Sequence, residues 1–92
     1  LSDIQVILSS SLARFTGGVR KFSVPGGTVR QVMERVSELY PSLSGRVVDE
    51  HLEPMPFVRI YVGDEDVRDL GSIDSVIAPD ATVSILTAVA GG

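Results

Sequence analysis

Few residues in this chain have the types and spacing that chemistry needs. There is no cysteine, which removes disulfides, thiolate metal sites and a thiol nucleophile together. The one histidine, His51, lies in a polar stretch beside Glu50 and Glu53, with no further ligands at metal-binding spacing. Asp64-Glu65-Asp66 lacks the spacing and the glycine of a calcium loop and reads as a hairpin turn. Ser9-Ser10-Ser11 has no histidine nearby and no Gly-x-Ser-x-Gly elbow, so it reads as a structural turn rather than a nucleophile. Neither a metal site nor a catalytic side chain is expected. What remains is the last stretch, Ala88-Val89-Ala90-Gly91-Gly92, with Gly92 offering a main-chain carboxylate. Glycine has no Cβ and reaches backbone angles closed to other residues, so Gly91 and Gly92 suit a narrow site. Ala88 and Ala90 are small, and Val89 supplies one apolar contact. Extended, such a tail reaches about 17 Å.

Composition narrows the setting. The 92 residues allow one domain with a modest core. An apolar fraction of 43% with 22% charged residues is ordinary for a globular fold and too apolar for disorder. No apolar run approaches the roughly 18 residues that span a bilayer, and no basic segment leads into an apolar one as in a signal peptide. The chain begins at Leu1 rather than Met, so its natural start is expected to lie elsewhere. A cytoplasmic protein is the expectation. Net charge is −4, which repels a phosphate backbone. Arg14, Arg20, Lys21 and Arg30 are scattered without an aromatic platform, so no nucleic-acid partner is expected.

The elements that must position the tail follow from periodicity. Ile4, Val6 and Leu8 alternate with Gln5, Ile7 and Ser9, the period of a strand. Gly17-Gly18 marks a turn, and Val19 to Val24 reads as a second strand burying Phe22 and Val24, so the chain opens on a hairpin. After Pro25-Gly26-Gly27, Thr28 and Gln31 fit a capping box. Val29, Val32, Met33, Val36 and Tyr40 then form an apolar helical stripe, closed by Pro41. Residues 41–56 read as loop with one turn of helix near Leu43–Val48. Phe57 to Val62 alternates again, Gly63-Asp64-Glu65 turns, and Asp66-Val67-Arg68 reads as a short edge strand. Leu70 to Ile77 reads as an irregular crossover burying Leu70, Ile73 and Ile77, and Thr82 to Thr87 as the last strand.

The order ββαββ, crossover, β predicts an α+β domain. It has a mixed sheet of about five strands, one main helix on one face and the first and last strands parallel. This is the order of the β-grasp, ubiquitin-like fold. The expected division is a β-grasp domain over 1–87 and a flexible tail over 88–92 ending in Gly-Gly. Gly-Gly also occurs at 17–18 and 26–27, where it sits between elements and serves turns.

The stretches TVRQVMERVSELYPSL, PFVRIYVGDEDVR and ATVSILTAVAGG make the chain resemble the ThiS/MoaD family of sulfur-carrier proteins along essentially its whole length. The Ala-Val-Ala-Gly-Gly ending looks most like the MoaD-like carriers of cysteine biosynthesis. Thr87 departs from the proline common there, and Gly63 from the asparagine common at the hairpin turn. The resemblance implies that a ubiquitin-activating-type adenylyltransferase uses ATP and Mg²⁺ to adenylate the Gly92 carboxylate. A sulfur donor enzyme then leaves a thiocarboxylate for an acceptor: cysteine synthase first, otherwise the molybdopterin synthase large subunit, thiazole synthase or tRNA thiolation. The carrier would bind no permanent cofactor and would be a protein cosubstrate, not an enzyme. Chemically, a carboxylate is a poor electrophile until converted to a mixed anhydride. Two other readings stay open: a ubiquitin-like modifier joined to lysine through the same Gly-Gly, and a β-grasp interaction module whose tail is inert. If Ile4, Val6, Val58, Ile60, Val83 and Ile85 pack under the helix, the opposite sheet face carries Ile7, Phe57, Tyr61 and Leu86. This is the candidate partner-docking face.

Overall fold

The computed structural model describes residues 3–71 and 73–87. Alternation places Ile4, Val6 and Leu8 on one side of β1 (Asp3–Leu8), and all three are fully buried. β2 (Lys21–Pro25) pairs antiparallel with β1 from Asp3↔Pro25 to Ile7↔Lys21. β5 (Thr82–Thr87) pairs parallel with β1, with Val6 opposite Val83 and Leu8 opposite Ile85. β3 (Val58–Val62) lies antiparallel on the other side of β5, and the two-residue β4 (Glu65–Asp66) closes that edge. The sheet order is β2-β1-β5-β3-β4. The strand that leads into the tail is therefore the central one, as the expected parallel pairing of first and last strands requires.

A short helix, α1 (Ser10–Ala13), follows β1, and the main helix α2 (Val29–Leu39) covers the sheet. The predicted capping box is present. The Gln31 amide donates to Thr28 Oγ1 (3.1 Å), and the Thr28 amide donates to Gln31 Oε1 (3.0 Å). Two of the orphan donors at the helix start are thereby satisfied. The stripe Val29, Val32, Met33 and Val36 is buried against Val58, Ile60, Val83 and Ile85. Each such side chain contributes roughly 1.5–3 kcal/mol on burial, so packing rather than the mediocre helix propensity of valine holds α2. Tyr40 ends the helix with its amide on the Val36 carbonyl (2.9 Å), and Pro41 opens a 3₁₀ turn, Pro41–Leu43.

Gly27, at φ +150°, leads into the capping box, and a Cβ there would run into the Gln31 carboxamide oxygen that closes it. From α2, the Arg35 guanidinium reaches back to the Pro25 and Gly26 carbonyls (2.9 and 2.8 Å). Helix start and strand end are thus locked to each other.

Four local expectations are corrected. The opening is not a simple hairpin. Ser9 precedes α1, whose last two amides, Leu12 and Ala13, donate to the Ser9 carbonyl, and a 3₁₀ turn Arg14–Thr16 follows. Four helical residues are too few for periodicity to register. β2 begins at Lys21 rather than Val19, because Thr16 Oγ1 donates to the Val19 carbonyl (2.6 Å) and holds it in the loop. Phe22 is only half-buried, meeting Tyr40 edge-to-face at 4.9 Å. The edge strand ends earlier than expected: Asp66 Oδ1 accepts from the Arg68 amide (2.8 Å) and starts a 3₁₀ turn, Val67–Asp69, that buries Val67.

In the crossover, Ile77 is buried, while Leu70 and Ile73 are half-buried against the core. The long loop is better ordered than its composition suggests. Leu43, Val47 and Val48 are buried, and bridges join Ser44 to Val48 and Val48 to Pro54.

Candidate functional site

The candidate site is the end of the sheet where β5 runs out. Residues 88–92, with the expected roles of Ala88, Val89, Ala90, Gly91 and Gly92, lie outside the described residues. Thr87, the last described before them, pairs with Val58 on β3. Its Oγ1 lies 2.9 Å from Ser11 Oγ, and Ser11 Oγ lies 3.1 Å from Ser9 Oγ. The Ser9 amide donates to the Ile85 carbonyl (3.0 Å). The serine run therefore fastens α1 to the end of β5 and carries no nucleophile geometry.

A groove opens beside this exit, lined by Ser11, Leu12, Arg14, Phe15, Gly45, Arg46, Phe57 and Thr87. Four chain segments meet in it: α1 with its 3₁₀ turn, the loop after α2, the approach to β3 and the end of β5. The Arg46 guanidinium lies over the Phe15 ring at 4.1 Å from its centroid, and that of Arg14 at 5.8 Å, both within cation–π range. Among the described residues, neither guanidinium makes an ion pair or a hydrogen bond. Sequence reasoning missed this arrangement. It treated Arg14 as lacking an aromatic platform, although Phe15 is its neighbour. Arg46 comes from 31 positions away, and no local pattern marks it.

The sequence-derived docking residues divide between two places. Ile7, Ser84 and Tyr61 form one cross-strand row on the sheet face away from α2, and Leu86 stands beside Arg59 in the next row. Leu86 is 36% exposed, and Ile7 and Tyr61 are half-buried. Phe57, 45% exposed, sits in the turn before β3 and lines the groove instead.

The other chemistry candidates are placed plainly. His51 is exposed beside Glu50 (3.5 Å), in a turn where Asp49 Oδ1 accepts from the His51 and Glu53 amides. Asp66 faces Arg59 (3.6 Å) and Arg68 (3.8 Å). Among the described residues, no group of three or more His, Cys, Asp or Glu could hold a metal ion. No helix among them is long and apolar enough to cross a membrane. Away from the groove, Arg30 Nε donates to Asp74 Oδ1 (2.9 Å). That hydrogen bond, helped by the opposite charge, holds the Asp74 carboxyl below its ordinary range and raises Arg30.

Together the sheet order, the single covering helix and the outrunning central strand define a ubiquitin-like β-grasp domain. The ThiS family model matches residues 6–92, and the chain belongs to that family. It is 37% identical over 92 residues to the sulfur carrier protein CysO of Mycobacterium tuberculosis, covering 98% of this chain and 99% of that protein. The crystal structure of M. tuberculosis CysO superposes with a TM-score of 0.82 at 35% identity, covering 94% of this chain and 99% of that one. A CysO chain solved in the BexX/CysO complex of Amycolatopsis orientalis matches with a TM-score of 0.85 at 32% identity, over 97% and 99% of the two chains. SAMP1 of Haloferax volcanii matches at TM-score 0.79 over 98% and 99%, and at 19% identity that likeness concerns the fold alone.

Proposed function

We propose that this chain is a sulfur carrier of the CysO type, a protein cosubstrate whose reactive group is the carboxylate of Gly92. The observation that carries the reading is the full-length likeness to the M. tuberculosis sulfur carrier protein CysO. The fold supports it by placing the strand that precedes the Gly-Gly ending at the centre of the sheet.

The chemistry runs in two displacements on an activating enzyme that supplies ATP and Mg²⁺. A Gly92 carboxylate oxygen attacks the α-phosphorus of ATP, forming an acyl adenylate and releasing pyrophosphate. Sulfide sulfur, delivered by a donor enzyme, then attacks the acyl carbon and AMP leaves, so one carboxylate oxygen departs with AMP and a thiocarboxylate remains. The sulfur then passes to an acceptor enzyme, with cysteine biosynthesis as the first destination. Ile7, Tyr61 and Leu86, with Phe57 beside the exit, provide the apolar contacts for docking. The Amycolatopsis CysO solved in complex with BexX supports the expectation of a protein partner.

The test is intact mass after incubation with the activating enzyme, ATP and a sulfide source. A gain equal to replacement of one oxygen by sulfur is expected. Covalent adducts on lysines of other proteins, with no such gain, would turn the reading toward a modifier. An unchanged mass with an enzyme active on its own carrier would end it.

A further inference from the structure

The charge distribution along the sheet carries a second conclusion about how the tail is presented. The protein is acidic, with 12 Asp and Glu against 8 Lys and Arg, yet the Asp64-Glu65 turn and the pair Arg14 and Arg46 lie at opposite ends of β5. Val83, second in β5, lies opposite Val62, so the Gly63-Asp64-Glu65 turn lies at the end away from the tail, as does Asp80 just before β5. At the tail end stand Arg14 and Arg46, both exposed.

The remaining arginines are engaged. Arg30 pairs with Asp74, and Arg59 and Arg68 pair with Asp66. Arg35 bonds the Pro25 and Gly26 carbonyls, and Arg20 bonds that of Leu8 (3.5 Å). Arg14 and Arg46 have no acceptor among the described residues and share one ring, Phe15, which is itself packed against the core.

Resting on the carrier reading above, we propose that Arg14, Phe15 and Arg46 form a basic collar at the root of the tail. The collar docks an acidic segment of the activating enzyme at the mouth of the channel that the tail enters. Three observations select this occupant. First, both guanidiniums keep their full donor set, and a carboxylate matches the guanidinium fork with two parallel hydrogen bonds. Second, Phe15 backs Arg46 closely and Arg14 at the edge of cation–π range, so less side-chain freedom is lost on docking than by lysines on a bare surface. Third, distance separates the collar from the nucleotide. The tail spans about 17 Å when extended, so with Gly92 at the α-phosphate the collar lies a tail's length back, against the enzyme's outer surface. Phosphate recognition is thereby disfavoured, and carboxylates at the channel mouth are the fitting counter-charge. Phe57, exposed at the same groove, adds an apolar contact beside the charges. Complementary charge at such a rim acts mainly on encounter rate and register, and therefore on KM.

The experiment is ATP–pyrophosphate exchange by the activating enzyme with the carrier varied, at several salt concentrations. Arg14→Glu/Arg46→Glu should raise the KM for the carrier about tenfold, leave kcat within about twofold, and flatten the fall of kcat/KM with salt. Arg14→Gln/Arg46→Gln should show the same effects, smaller. Val76→Glu/Ala78→Glu changes net charge by the same amount as the glutamine pair at exposed positions before Asp80, and it should leave KM unchanged. Circular dichroism and unfolding midpoints check that each variant is folded. A charge-reversed carrier with wild-type KM and salt dependence would overturn the collar while leaving the carrier reading intact. So would a Val76/Ala78 variant impaired as much as the glutamine pair. If the wild-type chain is not adenylated at all, the carrier reading falls and the collar with it.

Discussion

The Phe15 platform can be measured without any partner. The perturbation is a double-mutant cycle between Phe15→Leu and Arg46→Gln, with Phe15→Leu and Arg14→Gln as the second arm. Leucine keeps an apolar side chain against the core and removes the ring, and glutamine keeps much of the arginine's length and removes the charge. Arg46 lies 4.1 Å from the ring centroid, and at an exposed site such a contact contributes about 0.5–1 kcal/mol. Arg14, at 5.8 Å, is near the limit of the interaction and should contribute less. The single replacements also carry packing and solvation changes, which the cycle cancels. Urea unfolding followed by circular dichroism is the assay. With a slope of about 1–1.5 kcal/mol per molar for a chain of this size, the Arg46 coupling corresponds to roughly half a molar in midpoint. A coupling below about 0.2 kcal/mol for Arg46 would refute the idea that the ring holds Arg46 in place.

Removing Gly92 should abolish adenylation in the exchange assay and leave the urea midpoint within error; a lost fold would contradict the separation of domain and tail. Leu86→Asp should raise the KM for the carrier while costing no more than about 1 kcal/mol of stability, since the side chain points away from α2; an unchanged KM would remove Leu86 from the docking face. Gly27→Ala should lose about 1–2 kcal/mol in urea unfolding, because φ +150° disfavours a residue with a Cβ and that Cβ displaces the Gln31 carboxamide from the capping box; a neutral result would mean that the backbone relaxes and the box re-forms freely. Asp74→Asn tests the Arg30 pair through pH. The folded carboxyl lies below its ordinary value, so its contribution is present above the unfolded value and drains away as pH falls through the folded one. Wild type and variant should therefore differ slightly at neutral pH and converge in strong acid; identical midpoints at neutral pH would show that the exposed pair contributes nothing.

What the sequence made legible was what local pattern encodes. α2 could be read from Thr28 to Pro41 because its cap, its apolar stripe and its terminator lie within one stretch. β1, β3 and β5 showed themselves by alternation, and their inward residues Ile4, Val6, Val58, Ile60, Val83 and Ile85 are the ones buried. The misses have a common cause. α1 is a four-residue helix held by Ser9 and by packing of Leu12 and Ala13, too brief for a period. β4 stops where one side chain, Asp66, bonds the backbone two residues on. The collar needs Arg46 brought to Phe15 by the loop after α2, a long-range meeting that neither stretch announces. Parity places Phe57 on the sheet face, yet it precedes the strand and lines the groove.

The central place of β5 also bears on force. Whatever grips the tail pulls along the axis of a strand that is hydrogen-bonded to β1 on one side and β3 on the other. Those bonds lie across the direction of pull, so they are loaded together in shear rather than opened one after another as at a sheet edge. Force applied at Thr87 is therefore shared by both ladders, and the sheet takes it as one body. Mechanical work done on the tail is spent on positioning it rather than on peeling the carrier apart.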